Sequence, residues 1–410
     1  SYTQGYNDLS KASDPRFTAL GSMQNEDGTL GAAVSIALSQ RTIAQQGHNS
    51  GRWEANTTGN NTWANAAALP ASVNAAKHPR FPRQMDREID IDRMGFTGSI
   101  QWKPTDDTKL TLDVLDASLG FDQHDVNLTP ISLARTGTTG RKETTLQSYE
   151  VDAATNALVY AKMTGVDVRA ENFNADTQTE FHQASLTLEH SFTDSISMKA
   201  MYGSSKANTE VTHESTAIFE RFNTGLAYDY RGDDRNPSLV YDFDLTNPNS
   251  WKVSELRDRP NYTTNTFDNA SVDFKWEIND TFSAQAGVSS KKFTHDNLQM
   301  TRDTAIINQT KLPQGSAIST LPAGCSLTIA NTIVTADMGG LFTPSNGQNT
   351  FFLPSIDQTF ARLNFLDGTA CFPLKVNVSA DRSVEEESNG YFVQGNFTTD
   401  LMDMSFKGNV

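Results

Sequence analysis

Apolar and polar residues alternate strictly along several stretches of this chain. One of them, 94–118, reads "MGFTGSIQWKPTDDTKLTLDVLDAS". Its apolar-side positions are Phe96, Gly98, Ile100, Trp102, Leu110, Leu112 and Val114. Successive side chains of a strand point to opposite faces, so a period of two predicts strands with one apolar and one polar face. The Pro and Asp residues between the two runs favour a tight turn, and the stretch therefore predicts a β-hairpin.

The same pattern recurs in four other parts of the chain. One follows the turn "QNEDG" at 24–28, and the others read "ASLTLEHSFTDSISMKAMYG", "SVDFKWEINDTFSAQAGVSS" and "GYFVQGNFTTDLMDMSFKGNV". Together the five parts predict about ten antiparallel strands and an all-β fold.

Connections between the hairpins differ from the turns within them. The turns take about five residues, whereas 41–93, 119–180, 206–269 and 291–388 are long and rich in Asn, Thr, Asp and Gly. Short turns alternating with long loops are typical of an outer-membrane β-barrel, with periplasmic turns and extracellular loops. Trp102 and Trp276 precede short turns on the apolar face, where an aromatic girdle is expected. We therefore expect an antiparallel transmembrane β-barrel segment.

Composition and charge agree with that expectation. Only 37% of the 410 residues are hydrophobic, which is low for a large shared core, and a bilayer facing the strands removes the need for one. No run approaches the roughly 18 apolar residues of a membrane helix. The formal net charge of −16 repels nucleic acid and argues against it as a partner.

Five longer stretches carry a family resemblance. They are "GYNDLSKASDPRFTALGSMQNEDGTLGAAVSIALSQR", "HPRFPR" followed by "GFTGSIQWKPTDDTKLTLDVL", "TEFHQASLTLEHSFTDSISM", "DYRGDDRNPSLVYDFDLTNPNSW" and "NGYFVQGNFTTDLMDMSFKGNV". They resemble the barrel portion of TonB-dependent outer-membrane receptors of Gram-negative bacteria. The resemblance implies a barrel of about 22 strands with an N-terminal plug, in contact with outer-membrane lipid and lipopolysaccharide. It also implies energy-dependent import, driven by the inner-membrane TonB system, of a scarce small-molecule or oligomeric nutrient such as a siderophore, cobalamin or oligosaccharide.

Some family features are missing from the sequence. No segment resembles a TonB box or a plug ahead of Ser1, and "FKGNV" ends within a strand pattern. We therefore expect residues 1–410 to form one partial barrel domain, with the plug and the C-terminal strands outside it. A second class stays open: a non-transport outer-membrane or surface β-protein, such as a porin-like channel, an adhesin or an assembly scaffold.

Motifs for catalysis are not found. The seven His are scattered without metal-ligand spacing, and no P-loop or nucleophile motif occurs, so we expect neither an enzyme nor a bound cofactor. One stretch, "MDREIDID", places four acidic residues on one side of a strand: Asp86, Glu88, Asp90 and Asp92. Four like charges need water, cationic neighbours or a metal. They predict either a solvated lumen face or a calcium site.

Two further features have candidate roles. Arg80 and Arg83 in "KHPRFPR" could meet an anionic substrate or lipopolysaccharide phosphate, or could pair with neighbouring acids. Cys325 and Cys371 lie 46 residues apart in one predicted external loop. That compartment is oxidising, which favours a disulfide, worth roughly 4 kcal/mol in the loop-entropy model. We expect the loop, with little core of its own, to need that crosslink.

Overall fold

One large β-sheet dominates the molecule. The computed structural model describes residues 1–56, 62–131, 133–135, 143–302, 304–305, 333–344, 348–367, 371–401 and 404–410. The first ten strands are β1 (Tyr2–Tyr6), β2 (Ser13–Gln24), β3 (Leu30–Asn49), β4 (Trp53–Ala55), β5 (Lys77–Pro79), β6 (Arg83–Thr105), β7 (Thr108–Ile131), β8 (Thr145–Asp152), β9 (Ala157–Thr193) and β10 (Ile196–Asp229). They are followed by β11 (Ser238–Tyr241), β12 (Lys252–Asp258), β13 (Asn261–Glu277), β14 (Phe282–Thr301), β15 (Thr304–Ala305), β16 (Gly339–Phe342), β17 (Phe351–Pro354), β18 (Lys375–Val376), β19 (Arg382–Leu401) and β20 (Met404–Asn409).

Helices are short and lie outside the main ladder of strands. Within the ranges that the structure describes, the two α-helices are α1 (Ala71–Ala75) and α2 (Ile356–Leu363). Single 3-10 turns occur at Ala66–Ala68, Pro248–Ser250 and Ala336–Met338.

The long strands pair in an up-and-down antiparallel ladder. Its order is β1, β2, β3, β6, β7, β9, β10, β13, β14, β19 and β20. The five predicted hairpins and the all-β fold are confirmed. Within the described residues, β1 and β20 each pair with a single neighbour, so this ladder is not closed into a barrel.

The predicted apolar face continues from strand to strand in register. One row of directly paired residues comprises Leu30, Trp102, Leu110, Leu188, Ala200, Val272, Val288 and Tyr391. The adjacent row on the same face comprises Ala32, Ile100, Leu112, Leu186, Tyr202 and Ala270. We call these two rows the apolar band. Trp102 is 50% exposed and Val288 is 59% exposed, so the band lies at the surface of the sheet.

The strands extend far beyond the predicted hairpins. β9 runs for 37 residues and β10 for 34, and the prediction that 119–180 and 206–269 are connecting loops is therefore wrong. Similar extensions lengthen β3, β6 and β14 into the other predicted loops. Polar residues there make cross-strand bonds that stabilise a sheet. The Thr179 and Thr209 hydroxyls lie 3.0 Å apart, and Thr264 Oγ1 donates to Asn208 Oδ1 at 3.1 Å.

A hydrophobic core lies at the end of the sheet away from the short turns. Strand residues such as Leu128, Val168 and Phe219 pack there against Trp63 and Trp251, and all five are buried. The expectation that the chain lacks a large core is therefore wrong. Average composition concealed this core because its apolar residues are concentrated in one half of the molecule.

Part of that core comes from residues 333–344 and 348–367, which we call the cap segment. Its buried residues include Met338, Phe351, Phe352, Phe360 and Phe365, so the expectation that the 291–388 region has little core is also wrong. The Phe219 and Phe352 rings stack with centroids 6.3 Å apart. The cap segment thus packs directly on the sheet.

Helix α2 is the amphipathic element of the cap segment. Its buried residues are Ile356, Thr359, Phe360 and Leu363, at the spacing that places side chains on one helix face. Ser355 Oγ accepts a hydrogen bond from the Gln358 N–H at 3.3 Å and caps the first turn. Asn364 ends the helix in a left-handed conformation, with φ of 51°.

Candidate functional site

A cleft of about 490 Å³ lies between the sheet and the cap segment. It is on the same sheet face as the apolar band, towards the end away from the short turns. Five carboxylates line it: Glu88, Asp90, Asp122, Asp176 and Asp357. Two histidines and three apolar residues also line it: His124, His213, Ile356, Phe360 and Leu366. We call this cavity the acidic cleft.

Three of its carboxylates lie opposite one another on neighbouring strands. Asp90 on β6 pairs in register with Asp122 on β7, which pairs with Asp176 on β9. His213 on β10 follows in the same row. Partial desolvation, together with the charge of Asp176 and a hydrogen bond to it, raises the pKa of Asp122. The row therefore concentrates negative charge and favours a proton held between Asp122 and Asp176.

A second row of polar residues connects the cleft to the cap segment. Glu88, His124 and Asn174 are register partners on β6, β7 and β9. His124 Nε2 lies 2.8 Å from Asn172 Oδ1, and Asn172 Nδ2 donates to the Pro354 carbonyl oxygen at 2.7 Å. This chain of bonds fixes the position of the cap segment over the cleft.

Buried ionic groups hold the neighbouring strand ends. Asp258, which is 2% exposed, accepts from Ser215 Oγ at 3.2 Å and lies 3.6 Å from His213 Nδ1. Arg302 approaches Asp258 at 3.6 Å and donates through Nη1 to the carbonyl oxygens of Phe365 and Phe372. Because Arg302 is only 8% exposed, these contacts compensate for the burial of its charge.

The structure corrects the predicted position of the acidic stretch. Asp86, Glu88, Asp90 and Asp92 do share one side of β6, but it is the side of Ile100 and Trp102 in the apolar band, since β6 pairs with β7 without a register shift between 84 and 102. The assignment of these acids to a separate polar lumen face is therefore wrong. Only Glu88 and Asp90 line the acidic cleft.

Neutral side chains accompany two of these acids. Thr42 Oγ1 donates to Asp90 at 2.6 Å, and Gln46 donates to Asp86. Burial raises the pKa of Asp86, and the Gln46 bond opposes that shift. Over the described ranges, no three His, Cys, Asp or Glu side chains come together in an arrangement able to hold a metal ion. Calcium binding stays a prediction without geometric support there.

The predicted basic pair lies against an aromatic ring. The guanidinium carbons of Arg80 and Arg83 are 4.7 Å and 5.9 Å from the centre of the Phe81 ring, within cation–π range. No ion pair of the described part of the chain includes either arginine. Pairing with neighbouring acids is thus not what holds them, and binding of an external anion stays a prediction.

The predicted disulfide lies partly outside the described residues. Cys371 packs against the hydrophobic core and is disulfide-bonded. Cys325, the other cysteine of the chain, is not among the described residues. Their pairing stays a prediction.

Sequence reasoning missed most of the cleft. Asp122, His124, Asp176 and His213 all lie in stretches predicted as loops. The first three continue the period of two of their strands, whereas a register shift between Val211 and His213 breaks that period in β10. The only sequence signal for α2 was the run from Ser355 to Leu363, which combines an N-cap serine with apolar residues at helical spacing. Nothing in the sequence indicated that this helix packs over the carboxylates.

Comparison with known proteins gives no match: no family model, curated protein or solved structure is similar to this chain. Among the helices of the described residues, none combines the length and apolar character needed to cross a bilayer.

Proposed function

We propose that this protein is an outer-membrane receptor that captures a scarce nutrient and imports it with energy from the inner membrane. The observation that carries the proposal is the apolar band, which continues through eight strands in register and whose residues are exposed or half-exposed. An exposed apolar surface of this extent on a soluble protein favours association or aggregation. Lipid contact makes the same surface stabilising.

The two ends of the sheet differ in structure, and this difference favours a receptor over a simple pore. At one end the hairpin turns are short. The turn between β6 and β7 consists of Asp106 and Asp107 alone. At the other end the connections build a packed core, a cap segment and a cleft. Binding residues concentrate on such connections when a rigid scaffold holds them. We therefore place solute capture at the capped end, which on this proposal faces outwards.

Chemistry of the acidic cleft suggests which solutes it accepts. Carboxylates on β6, β7 and β9 face Ile356, Phe360 and Leu366 of the cap segment. A solute that carries positive charge on one side and apolar surface on the other complements these two walls.

Uptake measurements in cells test the import proposal. We expect growth on one limiting nutrient to require both this protein and the inner-membrane TonB energy system. Uptake that persists after the energy system is removed supports instead a passive channel. Normal growth without the protein, combined with loss of surface attachment, supports an adhesin.

Binding measurements on purified protein in detergent test the cleft. Spermidine serves as a cationic probe and maltotriose as a neutral one. We expect the double variant Asp122→Asn and Asp176→Asn to weaken spermidine binding, while the double variant Glu26→Gln and Asp27→Asn, an equal loss of charge in the exposed β2–β3 turn, leaves it unchanged. Equal weakening by both variants means that net charge alone attracts the probe.

A further inference from the structure

Beyond the cleft, a cluster of charged side chains is buried where β9, β10 and β12 meet. At its centre is Glu220 on β10, which is 0% exposed. Arg169 Nε on β9 lies 3.3 Å from Glu220 Oε2, and Ser254 Oγ on β12 donates to the same oxygen at 2.6 Å. This carboxyl group therefore joins three strands.

The cluster contains more acids than its central arginine can neutralise. Arg169 also lies 3.9 Å from Glu171 and 3.7 Å from Glu255. Those two carboxylates are 16% and 19% exposed and keep some contact with water, whereas Glu220 has none. The free energy cost of a negative charge is thus greatest at Glu220.

Charged groups face Glu220 from every element packed against it. They are Asp167, Arg169 and Glu171 on β9, Arg135 after β7, and Lys252 and Glu255 on β12. Arg135 is already paired with Asp167 at 2.7 Å, and both are buried. Its charge is therefore shared with a second carboxylate.

The antiparallel pairing of β10 with β12, which we call the β10–β12 seam, is irregular beside Glu220. The ladder has six paired positions and shifts register between Ile218 and Phe219, next to Glu220. Phe219 points away from the cluster and stacks on Phe352 of the cap segment. Glu220 is therefore the chain neighbour of a residue that contacts the cap segment.

We propose that this cluster is a proton-operated latch: a protonated Glu220 holds the β10–β12 seam closed, and loss of that proton loosens the seam and the cap segment. Burial raises the pKa of Glu220 from 4.5 to about 7, opposed by the charge of Arg169 and the Ser254 bond. Since the closed state binds the proton more tightly than an open, hydrated state, rising pH favours opening, mainly up to neutrality.

Hydrogen exchange detected by mass spectrometry tests the latch in the full chain. After correction for the intrinsic pH dependence of exchange, we expect the opening equilibrium of Lys252–Asp258 and Phe351–Pro354 to increase roughly tenfold between pH 6 and pH 8. Glu220→Gln should remove this increase. Glu171→Gln, which changes a carboxylate beside the same arginine, should keep it.

Three outcomes overturn the proposal: wild-type protection that does not change with pH, an unchanged response in Glu220→Gln, or an equal loss of response in Glu171→Gln. If Glu220→Gln does not fold, infrared spectra of wild-type protein with isotope-labelled glutamate replace it. A protonated carboxyl band that disappears as pH rises through neutrality is the expected result. Its absence at pH 6 contradicts the latch.

Discussion

Asn172 on β9 donates its side-chain amide to the carbonyl oxygen of Pro354 at 2.7 Å, and this bond joins the sheet to the cap segment. The same side chain contacts His124 of the acidic cleft. Asn172 is only 9% exposed, so water does not readily replace the bond. The position of the cap segment over the cleft thus depends on a strand side chain as well as on apolar packing.

Replacing Asn172 with Ala should loosen the cap segment. The Pro354 carbonyl would lose a buried donor, which typically costs about 1–3 kcal/mol. We expect faster hydrogen exchange in Phe351–Pro354 with little change in the β13–β14 hairpin. Asn174→Ala, at the next position on the same face and exposed, is the control. Equal effects of the two variants would show that the Pro354 bond does not hold the segment.

The two faces of the sheet near the short turns should respond differently to charge. Ile100→Arg places a cation in the apolar band and, with lipid against it, should destabilise the folded protein by about 2–4 kcal/mol near the bilayer midplane. Gln101→Arg places the same charge on the opposite face and should have a small effect. Folding into lipid vesicles, followed by heat-modifiable gel mobility, measures both. Similar losses in both variants contradict membrane contact through the band.

Phe274 and Asp273 provide an independent pair on another hairpin. Phe274 is 45% exposed on the band face, while Asp273 belongs to the opposite face. We expect Phe274→Arg to impair folding in vesicles much more than Asp273→Arg. The reverse order would mean that the face assignment fails at β13.

The predicted disulfide has a direct chemical test. Peptide mapping without reduction should recover Cys325 and Cys371 joined. Reduction should destabilise the region around Phe372 by up to roughly 4 kcal/mol in the loop-entropy model. Detection of both cysteines as free thiols in protein taken from membranes would contradict the pairing.

Acid–base behaviour of the cleft follows from Asp122. Its pKa is raised in the folded protein, so the folded state binds a proton more tightly than the unfolded state. The stabilisation from that proton is present at low pH and is lost as pH rises through the folded pKa, above the ordinary value of 3.8. Asp122→Asn should flatten the pH dependence of stability in that window. Thermal unfolding at several pH values measures it, with Asp27→Asn as the control.

Local periodicity predicted the hairpins because each face of a strand is specified by its own residues. The run Phe274, Trp276, Phe282 and Ala284 identifies its face without knowledge of any partner. Residues such as Asp122 and Asp176 follow the same period, but their polarity resembles that of a loop. Only the ladder pairing of β7 with β9 shows that they are strand residues, and that pairing joins positions 54 residues apart.

The cap segment could not be placed from the sequence for a related reason. Phe352 and Phe360 are apolar residues within a polar region, and their burial depends on strands whose length was underestimated. Once β9 and β10 extend past the band, their far ends present Val168 and Phe219 as a surface to cover. The position of α2 therefore depends on the sheet surface that the far ends of β9 and β10 form, and neither could be predicted without the other.

The length of β9 determines how far the capped end of the sheet extends from the apolar band, and so which part of the protein other molecules contact first. A strand crosses a bilayer with about 9–11 residues, and the 37 residues of β9 extend for about 120 Å at the usual rise per residue. With the band in lipid and the usual barrel tilt, the far end of β9 projects on the order of 60 Å from the membrane. On the outer-membrane proposal, such a projection places the capped end well beyond the lipid surface, where large molecules outside the cell contact it before they reach the membrane.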